Sequence, residues 1–160
     1  MYDQEAILRV IPHRDPFVFV NRIFEASLER IVGETDYAAD RPFFKGHFPD
    51  YPVCPGVLLV ESMAQCGGAG FLLSLGGHVK KVFLFAKLIE ARFLNQVRPG
   101  DTVRYEVETL NKNPSRRLEQ RGVGYIVGKT DKNGKPLVAV EAHWLCIVQP
   151  ETPQTEASHA

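Results

Sequence analysis

Apolar positions recur at Ile7, Val10 and Ile11, one face of a short helix that Asp3 can cap and Pro12 stops. FVFVNRIF (17–24) reads as a strand, and so does the stretch from Ile31 to about Tyr37. Residues 40–56 hold prolines at 42, 49, 52 and 55 and predict a shaped loop rather than a regular element. Pro55 falls in the first turn of the next element, where a helix accepts proline. VLLVESMAQCGGAGFLLSLGG is apolar on nearly every side, so it predicts a helix of about twenty residues that lies inside something. Gly67, Gly68 and Gly70 each weaken a helix by about 1 kcal/mol relative to Ala. Their cluster points to a backbone packed closely on a neighbour, or else to a break into two shorter helices; Gly76-Gly77 ends the run.

Beyond the helix the period changes to two. VFLFAKLIEARF (82–93) is long and rich in β-formers. In DTVRYEVETL, Val103, Tyr105, Val107 and Thr109 face one way and Arg104, Glu106 and Glu108 the other. In RGVGYIVGK, Val123, Tyr125 and Val127 share a face, and Gly122, Gly124 and Gly128 alternate opposite, leaving room for bulges or close packing. Asp131-Lys132-Asn133-Gly134 is a hairpin turn before LVAVEAHWLCIV (137–148). One buried helix among long strands predicts a single α+β domain over 1–148, an antiparallel sheet wrapped around the helix. Its open edges invite pairing across a dimer. The polar tail, 149–160, is expected to be disordered.

Composition narrows the function. The 160 residues carry 19 Lys/Arg and 19 Asp/Glu, and a neutral total argues against general nucleic-acid affinity. The charge is uneven: 1–79 hold six basic against ten acidic residues, and 80–135 thirteen against six. A basic middle can steer a small acidic partner, though solvated strand faces give the same count. No apolar run approaches the roughly 20 residues of a bilayer span, and MYDQEAILRV is no signal-peptide opening, so neither a span nor secretion is expected. Cys54, Cys66 and Cys146 form no CxxC pair, which fits reduced thiols in a cytoplasm. The five histidines show no HExxH or HxH metal pattern.

The chemistry concentrates in GHFPDYPVCPGVLLVESMAQ (46–65). His47 lies in the constrained loop. The helix start at Gly56-Val57 offers unpaired N–H groups, with a glycine that admits a ligand closely. Glu61 is a lone carboxylate among Val57, Leu58, Leu59, Val60 and Met63, about 7.5 Å along the axis from Gly56. Desolvation is expected to raise its pKa and suit it as an acid. A base, an acid and an N–H oxyanion site are what removal of a proton α to a thioester carbonyl, with loss of a β-hydroxyl, requires. Spacing does not bring His47 and Glu61 together; a core histidine and a glutamate snorkelling to the helix edge fit the same residues.

These residues resemble a known family. His13-Arg14-Asp15-Pro16-Phe17 is similar to an HRxPF motif. Gly46 to Gln65 is similar to GHFPxxPxxPGVLxxEAMAQ, with Ser62 in the Ala position. Phe93 to Asp101 is similar to FxxPVxPGD. Together, over about residues 10–148, the chain resembles the FabZ-type 3-hydroxyacyl-acyl-carrier-protein dehydratases of the hotdog-fold superfamily. The resemblance implies a long central helix wrapped by an antiparallel sheet, a dimer with a continuous sheet, and often a trimer of dimers. It also implies an acidic acyl carrier protein as partner, and no metal or nucleotide. His47 would abstract the C2 proton and Glu61 of the opposite subunit would protonate the departing hydroxyl. Gly56 would donate an N–H to the thioester carbonyl, and the Val53 carbonyl would hold the His47 ring. Phe48 and Val57 would line the substrate path.

The departures fall elsewhere. Asn21 stands where the family has Asp, Gln96 where it has Pro. Leu84, Lys87 and Ile89 stand where YFAGID-like strands carry tyrosine, a small residue and an acid. Leu84, Phe85 and Lys87 are thus expected at the acyl tunnel or its rim. Lys80, Lys81, Arg98, Arg116, Arg117 and Arg121 are candidates for carrier docking. Cys54 and His143 read as packing residues, and His13 as part of the N-terminal packing motif. The leading expectation is a hydro-lyase; a dehydratase with added isomerase activity and a non-catalytic acyl-thioester-binding subunit are the alternatives.

Overall fold

The computed structural model describes residues 1–78, 81–111 and 116–150. The tail expected to be disordered lies, from residue 151, outside the described residues. Asp3 accepts a hydrogen bond from the Ala6 N–H at 2.9 Å and caps α1 (Gln4–Val10), which buries Ile7 and Val10. Six strands follow: β1 (Arg22–Ala26), β2 (Arg30–Asp36), β3 (Lys81–Phe93), β4 (Thr102–Thr109), β5 (Arg117–Thr130) and β6 (Pro136–Pro150). They form one antiparallel sheet in the order β1-β2-β4-β5-β6-β3. The long helix α2 (Gly56–Ser74) packs against all six strands, and from Cys66 to Leu73 every position is buried.

The strand expected over 17–24 starts only at Arg22. Val18, Phe19 and Val20 are nonetheless buried. Their apolar run belongs to a segment pinned by a helix side chain instead of a sheet partner: Gln65 receives the Phe19 N–H at 2.9 Å and donates to the Phe17 carbonyl at 3.0 Å. Pro55 is the N-cap of α2 and not part of its first turn. By length and composition alone α2 could cross a bilayer, contrary to the expectation from run lengths; 72% of that stretch is buried by the rest of the protein.

The glycine cluster leaves α2 as one unbroken helix. A Cβ on Gly67 would sit 2.5 Å from Gln120 Oε1 on β5, and one on Gly68 would sit 2.9 Å from the Phe83 ring on β3. At Gly70 it would collide with three atoms of the fully buried Ile31 on β2. Gly70→Ala therefore gains about 1 kcal/mol of helix propensity but overpacks a branched side chain that cannot swing away, which costs about 1–3 kcal/mol. A net loss of about 1 kcal/mol is expected, read as a lower urea midpoint at unchanged m.

Ser62 at the Ala position has a structural reason. It donates to the Leu58 carbonyl at 2.7 Å, so its oxygen accepts the Tyr37 hydroxyl at 2.7 Å, and Tyr37 in turn accepts from Tyr105 at 2.7 Å. All three residues are fully buried, and burial raises both tyrosine pKa values. This one-way chain of hydroxyls joins β4 to the first turns of α2.

Candidate active site

The proline-rich loop is held at both ends. A 3-10 turn spans Pro42–Lys45, and the His47 N–H donates to the Phe43 carbonyl at 3.1 Å. Across the loop the Val53 N–H donates to the His47 carbonyl at 2.9 Å, and His47 Nδ1–H donates to the Val53 carbonyl at 2.9 Å. The Cys54 N–H fastens the loop's end to the Val97 carbonyl at 2.8 Å. A carbonyl only accepts, so the proton sits on Nδ1 and Nε2 is left with a free lone pair. The half-buried His47 ring stacks on Phe48 at 4.3 Å and presents a base in a fixed tautomer.

Helix α2 opens beside this loop. At Gly56 a Cβ would lie 2.8 Å from the Phe93 ring, so packing by itself already requires the glycine. Val57 is 70% exposed at the same helix end. Glu61, one turn on, is mostly buried, and Gln65 donates to its Oε1 at 2.9 Å while His13 Nε2 lies 3.4 Å from the same oxygen. The expectation of a raised pKa is corrected here. Burial pushes the Glu61 carboxyl up, but His13 and Gln65 together outweigh it and hold the group below its ordinary 4.5.

A crevice of about 30 Å³ beside Glu61 is lined by His13, Gln65, Gly68, Phe83, Phe85 and Cys146 among others. Of the residues expected at an acyl tunnel, Phe85 lines this crevice. Leu84 and Lys87 do not line the crevice, and Phe83, which the sequence did not single out, does. His13 and Gln65 are the other residues that sequence reasoning missed. Gln65 was within reach of it, because a residue four positions after Glu61 shares its helix face. The larger cavity, about 660 Å³, shares no residue with this crevice and is walled by paired charges such as Arg92–Glu141 and Arg121–Glu108.

Within one chain, and among the described residues, His47 and Glu61 share no hydrogen bond or ion pair: His47 is tied to Val53, and Glu61 to Gln65 and His13. Burial pushes the free thiols of Cys54, Cys66 and Cys146 up to about 12, which leaves them protonated and poor nucleophiles. His143 is held by Glu119 at 2.8 Å. No group of three or more metal-ligating side chains converges among the described residues. The edge strand β3 exposes Leu84, Phe85, Leu88, Ile89 and Phe93, each by 42% or more.

Comparison with known proteins bears on the family and the fold. The FabA-like domain family matches residues 11–140. A relative from Desulforamulus reducens named 3-hydroxyacyl-[acyl-carrier-protein] dehydratase FabZ is 50% identical over 111 residues, covering 69% of this chain and 78% of that protein. One of the same name from Xanthomonas oryzae pv. oryzae is 41% identical over 142 residues, covering 87% of this chain and 88% of that protein. Among solved structures, the dehydratase heterocomplex ApeI:P from Xenorhabdus doucetiae superposes with a TM-score of 0.73 at 17% identity, over 91% of both chains, a likeness of fold. A six-stranded antiparallel sheet around one buried helix, and a proline-rich loop leading into it, thus come with relatives of one name: the chain is a hotdog-fold protein that belongs to the FabA-like family, among its FabZ-type dehydratases.

Proposed function

We propose that this chain dehydrates (3R)-hydroxyacyl-[acyl-carrier-protein] to the trans-2-enoyl thioester in fatty-acid or related acyl-chain biosynthesis, with His47 as base and Glu61 as acid. The observation that carries the reading is the His47 Nδ1–Val53 carbonyl bond, which leaves Nε2 free to take a proton. His47 removes the C2 proton, and the enolate oxygen is met by N–H groups at Gly56 and Val57. Glu61, which rests as a carboxylate, takes up a proton from solvent as substrate binds and gives it to the C3 hydroxyl; the C–O bond breaks, water leaves and the C2=C3 bond forms. Proton exchange with solvent returns His47 to its neutral form, and Glu61 is again a carboxylate.

In keeping with the family resemblance, the site takes His47 from one protomer and Glu61 from the other. The apolar edge of β3 supports that dimer, since its unpaired N–H and C=O groups extend the sheet if they meet a second copy. Further association into a trimer of dimers is compatible with it. Val53, Phe48, Leu84, Phe85 and Lys87 then flank the acyl path at the dimer seam. The partner is an acyl carrier protein, and the free buried thiols support a reducing cytoplasm as the compartment. Of the docking candidates, Lys80 lies outside the described residues and Arg121 is tied to Glu108. Arg98 stacks over Tyr51 of the proline-rich loop at 4.1 Å.

The test follows enoyl-thioester formation from carrier-bound 3-hydroxyacyl chains of several lengths at rising ionic strength. Turnover is expected, with kcat/KM falling as salt screens docking charges over about 8–10 Å. Acyl binding without turnover on any chain would move the reading to a non-catalytic subunit.

A further inference from the structure

We propose that His13 is a positioning residue for the acid: together with Gln65 it clamps Oε1 of Glu61, leaving Oε2 to hold and deliver the proton. The inference rests on the reading of Glu61 as the acid. Two nitrogens converge on one oxygen, Gln65 Nε2 at 2.9 Å and His13 Nε2 at 3.4 Å, and no described residue donates to Oε2. The Gln65 amide cannot turn over, because the Phe19 N–H fixes its oxygen and the Phe17 carbonyl its nitrogen. Oxygen Oε1 accepts from Gln65, and with the His13 ring proton on Nε2, facing the carboxylate, it is the less favourable seat for a proton. In the acid form the proton therefore sits on Oε2.

A packing role does not account for His13. Its ring borders Ile11, Pro12, Phe83 and Phe85, and its Nδ1 is buried without a partner. An orphaned buried polar atom is costly, and an apolar side chain fills the same space without it. The contact that gives the imidazole a use is Glu61. Arg14 braces this segment by donating to the carbonyls of Ile11 and His13, at 2.9 and 2.6 Å, which fixes the approach of the ring. The titratable groups lining the crevice are His13, Glu61 and Cys146. The thiol stays neutral, so His13 is the titratable neighbour whose removal changes the carboxyl.

The sign follows from the donors. N–H groups aimed at a carboxylate favour its charged form, so losing one lets the acid form persist to higher pH. The experiment measures kcat and KM against pH for His13→Leu, His13→Gln and Glu61→Gln in the full chain. The assay uses a carrier-bound 3-hydroxyacyl substrate. His13→Leu is expected to lower the pH-independent maximum of kcat about tenfold or more, because the carboxyl is no longer oriented. KM is expected to stay within about twofold. The alkaline limb of kcat is expected to move to higher pH. His13→Gln, whose amide nitrogen reaches the Nε2 position, restores both. If His13→Leu does not fold, His13→Asn, too short to reach Glu61, replaces it. An unchanged kcat and limb in the folded Leu or Asn variant overturns the proposal, and so does a Gln variant as impaired as they are. Activity surviving in Glu61→Gln overturns the acid assignment itself, so the two failures are told apart.

Discussion

Replacing His47 by alanine, or Glu61 by glutamine, lowers kcat for dehydration by about 10²–10⁴-fold, the contribution of a positioned general base or acid. Both changes spare the fold. Without the imidazole the loop keeps its main-chain bonds from Val53 N–H to the His47 carbonyl and from Cys54 N–H to the Val97 carbonyl. The glutamine keeps an oxygen where Glu61 Oε1 accepts from Gln65, yet it has no proton to give. Circular dichroism and melting temperature are expected to match the wild type while turnover disappears. A wild-type rate in either variant would sink the assignment, since among the described residues Glu61 is the crevice's one carboxyl.

Mixing the two inactive variants restores activity. If each site takes His47 from one protomer and Glu61 from the other, a hybrid dimer holds one intact site and one doubly defective one. Random exchange of equal amounts then rebuilds about a quarter of the wild-type sites. The measurement is turnover against time after mixing, with subunit exchange followed independently by mass. Complete exchange with no recovered activity would overturn the shared site and place both groups on one chain.

Periodicity made most of the architecture legible. The alternation in 102–109 puts Val103, Tyr105 and Val107 in the core, and the all-round apolar helix is enclosed by the sheet. Residues 17–20 misled because an apolar run reports burial and not the partner of its backbone. The partner is a side chain, Gln65, that the chain reaches only 46 residues later. The same distance in sequence hid the state of Glu61. Its burial was readable from its neighbours, but the His13 and Gln65 nitrogens that reverse the shift meet it only in the folded chain. His47 was readable as a base held in a loop, and the Val53 carbonyl that fixes its tautomer was expected only through the family resemblance.

The glycine seam of α2 also bears on how such a protein can diverge. Gly67, Gly68 and Gly70 touch Gln120, Phe83 and Ile31 so closely that no methyl fits between them, and mutation on that side of the helix is closed off one atom at a time. Over Leu84 to Glu90 of the edge strand β3 every side chain is exposed within one protomer, so the constraint there comes from the second copy and the acyl chain alone. Inherited change in the preferred acyl chain has its open route there, and Leu84, Lys87 and Ile89, three departures from the family pattern, all lie on that stretch.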